Sequence, residues 1–215
     1  MHRLHAWILK SPLRPLAKSA VGRATYGAIW AAAHRCGVAR GQPPHCYKQR
    51  LVKRYGRRYR LGYLVETGTW RGDMLHAAMG WFSNLDSIEL DPALYRAACA
   101  RFASKPNIRI HLGDSAVLLP QILQGLAEPA LFWLDAHFSG PGTSGQDQNP
   151  ILMEVESVLH DDRNDHVLLI DDARLFQGSS GYPTLAKLAS MVRDNRPDLK
   201  MTVDADVIRI EPREC

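Results

Sequence analysis

The first 65 residues contain no aspartate and no glutamate. This stretch holds fourteen lysines and arginines, whereas the remainder holds thirteen basic and 22 acidic residues. The overall charge of +5 therefore conceals a basic N-terminal segment followed by an acidic domain. Such a segment could contact an anionic membrane surface, nucleic acid or an acidic partner, and we favour the membrane over nucleic acid. The alternative is a basic helix that is solvated or packed on the acidic domain.

Long apolar runs and clustered cysteines are also missing. No apolar run approaches the roughly 20 residues that a membrane-spanning helix needs. The four cysteines lie far apart and match no zinc spacing, so reduced thiols in a cytoplasmic protein are the expectation. Basic residues interrupt the first 20 positions too often for a secretory signal. We therefore predict a basic helical arm at 1–44 and one cytoplasmic domain at 45–215, with the arm as a possible membrane attachment.

Two nucleotide-binding fingerprints are absent from the glycine-containing stretch at 61–72. The dinucleotide pattern G-x-G-x-x-G fails because Trp70 and Asp73 stand where its second and third glycines should be. The phosphate loop G-x-x-x-x-G-K-[ST] fails because Asp73 replaces its second glycine. What is present is a short apolar run ending in Glu66, a turn containing Gly68 and Gly72, and then an apolar helical pattern. This order predicts a buried strand, a tight turn and a helix start.

From residue 61 onward, strand and helix patterns alternate. Strands are predicted at 62–66, 86–90, 108–112, 130–135 and 166–171, and helices at 72–82, 92–103, 118–126, 150–160 and 183–194. The last residues predict a hairpin that turns at 204–206. Upstream, an apolar helical segment is predicted at 24–36 and a basic helix at 45–59, on either side of a break at 41–44. Strand–helix alternation indicates an α/β fold with a mostly parallel sheet covered by helices on both faces.

Polar residues stand at the carboxyl end of every predicted parallel strand, where open α/β sheets build their ligand sites. In chain order they are Glu66, Glu89, Asp114 with Ser115, Asp135 with His137, and Asp171 with Asp172. Asp91 is expected to cap the helix that begins at Pro92. Some of the other acids could have a structural role instead of contacting a ligand. Glu66 could be a carboxylate stabilised by the dipole at a helix N-terminus, and Asp114 or Ser115 could cap the next helix.

Three of these carboxylates are expected to converge. Asp135 follows the fourth strand, and Asp171 and Asp172 follow the fifth, which should be its neighbour. Bare acids in close proximity repel, so one must be protonated or a cation must lie among them. Oxygen ligands without cysteine favour Mg²⁺ or Ca²⁺ over zinc. The alternative is that one aspartate holds the loop while the others face solvent.

The pattern E-x-G-x-x-x-G at Glu66–Gly72 resembles motif I of the class I S-adenosylmethionine (SAM)-dependent methyltransferases. The segments VETGTW, SIELDPALY, GDS, FWLDAHFSG and IDDARLF also look like those of a bacterial family of such enzymes. The three aspartates resemble the metal site of the catechol and macrolide-sugar O-methyltransferases. The resemblance implies a Rossmann-like, seven-stranded, mostly parallel sheet with a C-terminal antiparallel hairpin. It also implies methyl transfer to a hydroxyl of a small molecule or glycan, assisted by Mg²⁺.

The resemblance further implies residue roles. Cofactor binding would involve Glu66, Thr67, Gly68, Thr69, Gly72, Glu89, Asp114, Ser115 and Asp135. Asp135, Asp171 and Asp172 would hold the metal, and Asp135 and His137 would be catalytic. Two positions depart from the catechol pattern: Asp91 replaces an asparagine, and Phe138 with a glycine-rich loop stands where a lysine base is expected, so a structural role for His137 stays open. Two rival functions also stay open, a non-catalytic binding module and a metal-dependent hydroxylase or hydrolase on the same fold.

Overall fold

The structure is a computed structural model that describes residues 20–37, 41–135, 150–161 and 165–213. Its helices are α1 Ala20–Arg35, α2 His45–Arg58, α3 Asp73–Ala78, α4 Pro92–Phe102, α5 Ser115–Gln124, α6 Ile151–Leu159 and α7 Leu185–Asn195. Its strands are β1 Tyr63–Thr67, β2 Asn84–Glu89, β3 Ile108–Leu112, β4 Ala130–Leu134, β5 Val167–Ile170, β6 Leu199–Asp204 and β7 Val207–Pro212. A 3₁₀ turn, Ala173–Leu175, follows β5.

The seven strands form one sheet in the order β3-β2-β1-β4-β5-β7-β6. The first five strands in this order run parallel, whereas β7 is antiparallel to both β5 and β6. The predicted sheet and its terminal hairpin are therefore confirmed. The strand order reverses between β1 and β4, and in open α/β sheets the crevice at such a reversal is where ligands bind. All five residues of β4 are buried, as expected for a central strand covered on both faces.

One boundary difference concerns α3, which is predicted at 72–82 but ends at Ala78. Gly80 follows the C-cap residue Met79, and glycine is a poor helix former. The chain then turns so that Phe82 enters the core beneath Gly56 of α2, where an added Cβ would come within 2.6 Å of the phenyl ring. The early end of α3 also lets β2 begin at Asn84, two residues before its predicted start.

The described part of the basic arm packs on the domain. Helix α1 begins at Ala20, four residues before its predicted start. Its Trp30 is buried and meets Tyr47 of α2 edge-on, with ring centroids 4.7 Å apart. His34 Nε2 lies 2.7 Å from Asp204 Oδ1 at the end of β6. Of the alternatives for this segment, packing on the acidic domain therefore applies to α1, while residues 1–19 lie outside the described part. None of the described helices is long and apolar enough to span a bilayer.

A buried carboxylate ties together the edge of the sheet formed by β1, β2 and β3. Asp86 accepts hydrogen bonds from Arg109 at 2.9 Å and from Tyr63, and His111 Nε2 lies 2.6 Å from its Oδ1. Burial acts to raise the pKa of Asp86, but the hydrogen bonds from His111, Arg109 and Tyr63 outweigh it and lower the pKa to about 2. The folded state therefore favours the ionised carboxylate more strongly than the unfolded chain does.

Replacing Asp86 with asparagine should lower the free energy of unfolding by about 2 kcal/mol at pH 7. Because the folded pKa is depressed, this stabilisation is present above the unfolded pKa near 4 and is lost as the pH falls toward 2. Urea unfolding of both proteins at pH 7 and pH 3 measures the effect. The exposed Asp194→Asn variant is the control and should match the parent protein at both values. A deficit of the same size at both pH values would contradict the assignment.

Candidate active site

The turn after β1 passes unusually close to the chain that leaves β4. Gly68 has a φ of 84°, and a Cβ at this position would lie 2.8 Å from the carbonyl oxygen of Asp135. Gly72 has a φ of 71°, and its Cβ would lie 2.6 Å from the ring of Phe102. Both contacts require glycine, because other residues meet a positive φ and a clash together. The turn therefore brings backbone amides to the reversal point between β1 and β4.

Glu89 lies at the edge of this turn and is held there by backbone hydrogen bonds. Its carboxylate accepts the Trp70 N–H at 2.7 Å on Oε2 and the Asp91 N–H at 3.0 Å on Oε1. The residue is 7% exposed. An ionised carboxylate has about four acceptor positions, so two backbone bonds leave capacity for further donors. Asp91 itself caps α4 by accepting from the amides of Ala93 and Leu94, which confirms its predicted role.

Glu66 lies beneath the turn in a small polar network. Ser87 Oγ donates to Glu66 Oε2 at 2.7 Å and lies 2.6 Å from Thr69 Oγ1. Burial raises the pKa of Glu66 to about 8, and the nearby carboxylates of Asp135 and Glu89 add to this, while the Ser87 bond lowers it. The role of Ser87 was missed from the sequence, where the signal was a small hydroxyl residue two positions before Glu89 in the same strand.

The start of α5 carries two further predicted residues. Asp114 caps this helix by accepting the Ala116 N–H at 2.9 Å, and Ser115 is its first residue. Capping was one of the two alternatives for Asp114, and contact with a cofactor stays a prediction. Beside Ser115 and Thr67 lies Glu154 of α6, a fully buried carboxyl that sequence reasoning missed. Burial raises its pKa to about 7 although both hydroxyls act to lower it. The sequence signal for a buried Glu154 was its position among the apolar residues of α6.

The structure brings the three predicted metal-ligand aspartates together. Asp135, Asp171 and Asp172 each offer a carboxylate oxygen, and these oxygens lie within 4.8 Å of one another. The convergence follows from the pairing of β4 with β5, which continues past the strand ends because the Asp171 N–H donates to the Leu134 carbonyl at 3.0 Å. The three acids line one pocket together with four apolar or aromatic side chains: Ile151, Ile170, Phe176 and Tyr182.

Within the described part of the chain, two basic side chains contact this cluster. Lys48 Nζ of α2 donates a hydrogen bond to Asp171 Oδ2 and lies 3.7 Å from Asp172 Oδ1. Arg174 Nη1 lies 2.5 Å from Asp172 Oδ1 and also bonds Asp206, so Arg174 is neither a free surface residue nor a free substrate contact. Burial raises the pKa of Asp171 to about 7; Lys48 lowers it, and the neighbouring aspartates raise it.

The part played by Lys48 was not predicted, although the sequence contains a signal for it. Lys48 precedes the buried residues Leu51, Val52 and Tyr55 by three, four and seven positions. This spacing places the lysine on the inward face of α2 rather than on its solvated side. By contrast, His137 and the glycine-rich loop at 139–149 lie outside the described residues, so the role of His137 as a base stays a prediction.

Comparison with known proteins finds solved structures of the same fold but no relative by sequence. No protein-family model matches the chain, and no curated protein matches its sequence. Among solved structures, the O-methyltransferase TomG from Streptomyces achromogenes, in complex with SAM, matches with a TM-score of 0.60 and 16% identity over 88% of this chain and 90% of TomG. An O-methyltransferase from Bacillus cereus, in complex with S-adenosylhomocysteine (SAH), matches with a TM-score of 0.60 and 12% identity over 94% and 96%.

The N-methyltransferase NodS from Bradyrhizobium japonicum WM9 also matches, with a TM-score of 0.51 and 14% identity over 78% of this chain and 96% of NodS. At such low identities the likeness concerns the fold alone. The chain thus has the Rossmann-like fold of the class I SAM-dependent methyltransferases.

Proposed function

We propose that this protein is a SAM-dependent methyltransferase that acts on a hydroxyl group of a small molecule or glycan. The observation that carries the proposal is the position of Glu89, which two backbone amides hold at the lip of the glycine turn with acceptor capacity to spare. A carboxylate at the end of the second strand can accept both hydroxyls of a ribose, as in dinucleotide folds. Two solved proteins with this fold carry SAM or SAH, which supports the same choice of ligand.

The remaining predicted cofactor residues suit SAM better than a dinucleotide. SAM carries an ammonium and a sulfonium and has no pyrophosphate, so it needs acids rather than a phosphate loop. Glu66 lies beneath the turn formed by Thr67, Gly68, Thr69 and Gly72, and Asp135 faces that turn. We assign the amino-acid end of SAM to this region and the adenine to Asp114 and Ser115 at the start of α5.

The proposed reaction is an in-line displacement. The acceptor oxygen attacks the methyl carbon of SAM, the carbon–sulfur bond breaks, and its electron pair neutralises the sulfonium to give SAH. The acceptor proton passes to a base, for which His137 is the candidate. Phe176 and Tyr182 would contact the carbon skeleton of the acceptor beside the aspartates. Holding both reactants in line would contribute several kcal/mol to catalysis, on the order of the effects known for oriented reactants.

The donor chemistry of the aspartate cluster fits a hard divalent cation. Asp135, Asp171 and Asp172 present oxygens within 4.8 Å of one another, the ligand type that Mg²⁺ prefers. They would hold the ion, which when bound would lower the pKa of the acceptor hydroxyl.

We further propose that the basic arm makes peripheral contact with an anionic membrane surface, in preference to nucleic acid, in a cytoplasmic protein.

Calorimetric titration of the purified protein with SAH, in the presence and absence of Mg²⁺, tests the proposal. We expect binding in the micromolar range, and additional heat with Mg²⁺ if the aspartates hold the ion. The control ligand is NADH, which shares the adenosine but adds a pyrophosphate and should not bind. Absence of SAH binding under both conditions would contradict the proposal and favour the binding module or a metal enzyme that does not use SAM. If SAH binds, incubation of the protein with methyl-labelled SAM and candidate hydroxyl compounds then shows which compound takes up the label.

A further inference from the structure

Lys48 places a positive charge inside the aspartate cluster that the proposed function assigns to a metal. Its Nζ donates to Asp171 Oδ2 and approaches Asp172 Oδ1 to 3.7 Å. The side chain is 14% exposed, and the Asp171 side chain is 3% exposed, so the pair lies largely out of solvent. A buried charge pair of this kind satisfies much of the electrostatic demand that otherwise calls for a bound cation.

We propose that Lys48 is the resident cation of this site and competes with a divalent ion for it, so that the lysine sets the metal affinity. The inference rests on the metal site named in the proposed function. An ion held by all three aspartates must take an oxygen of Asp171 and sit close to where Nζ now lies. The ammonium and the divalent ion repel each other at that distance, so binding of one displaces the other.

The packing of α2 determines how the lysine can withdraw. Leu51, Val52 and Tyr55 anchor the helix in the core, at 3% exposure or less. The helix backbone therefore stays in place, and the flexible four-carbon stem of Lys48 supplies the movement by changing its rotamer. Arg174 is less free to leave, because both its guanidinium and its backbone N–H bond Asp206. Of these two side chains, Lys48 is therefore the one that gives way.

Titration with Mn²⁺, followed by calorimetry and by the electron paramagnetic resonance signal of the free ion, tests the competition without any activity assay. Lys48→Met keeps most of the stem volume and removes the charge, and should bind Mn²⁺ at least 10-fold more tightly than the wild type. Lys53→Met is the matched control. It removes the same charge from the same helix, but its ammonium lies 5.6 Å from the ring centroid of Trp81 and not among the aspartates. Its Mn²⁺ affinity should equal that of the wild type.

Two further variants keep the test decisive. Lys48→Arg retains the positive charge and should bind Mn²⁺ no more tightly than the wild type. Lys48→Gln replaces the methionine variant if thermal melting shows that the latter does not fold, and it should show the same gain. Equal Mn²⁺ affinity in the wild type and the neutral variants would overturn the inference, as would the absence of binding in all of them. SAH titration of the wild type without added metal separates this result from the proposed function, because Lys48 and not a divalent ion then contacts the aspartates.

Discussion

Replacing Glu89 with alanine should weaken SAH binding by about 100-fold, equivalent to about 2.7 kcal/mol. Hydrogen bonds to an ionised group contribute about 1.5–3 kcal/mol each, and the variant would lose those that we propose Glu89 forms with the ribose. It also leaves the amides of Trp70 and Asp91 without their carboxylate acceptor, which loosens the lip of the turn. Calorimetric titration with SAH measures the loss, and thermal melting confirms that the variant is folded.

The matched control for Glu89 is Asp91→Asn, two residues further along the chain. It removes the same charge near the pocket, yet asparagine is as good a helix N-cap as aspartate. Since Asp91 caps α4, the variant should bind SAH within about 3-fold of the wild type, well inside the range of one kcal/mol. Unchanged affinity in Glu89→Ala, or equal losses in both variants, would rule out a specific contact between Glu89 and the cofactor.

Replacing Gly68 with alanine should abolish measurable SAH binding and lower the free energy of unfolding by about 2–4 kcal/mol. The residue has a φ of 84°, and its new Cβ would lie 2.8 Å from a backbone carbonyl oxygen, that of Asp135. A backbone atom cannot move aside as a side chain can, so the turn and the chain after β4 must separate. Both segments belong to the proposed cofactor site, which explains why binding and stability should fall together.

Gly80→Ala is the control for this experiment, because an added Cβ at that position meets nothing within 4 Å. Its stability should stay within about 1 kcal/mol of the wild type, and its SAH affinity should not change. Urea unfolding and calorimetry measure both quantities. If Gly68→Ala behaved like Gly80→Ala, the close approach of the turn to Asp135 would not matter for the site.

Most of the sheet could be predicted from local patterns. The parallel strands are short apolar runs, each followed by a polar residue and a helical pattern, so both their order along the chain and the position of the ligand edge follow from the sequence. The error at α3 arose from a tertiary preference, because burial of Phe82 against Gly56 outweighed the continuing helical pattern. The capping role of Asp91 was predictable since it depends only on residues two and three positions away.

The α/β architecture, the glycine turn and the acids at the strand ends could be predicted from the sequence, because each depends on residues close together in the chain. The contacts that the metal-site acids make with basic side chains depend instead on how distant elements pack. Lys48 and Asp171 are 123 positions apart, and only the packing of α2 against the sheet brings them together. The same holds for Tyr63, Asp86 and Arg109, which come from three strands. Charge compensation between distant residues is set by the fold: local pattern can place Lys48 on the inward face of α2, but it does not identify the carboxylate that the lysine contacts.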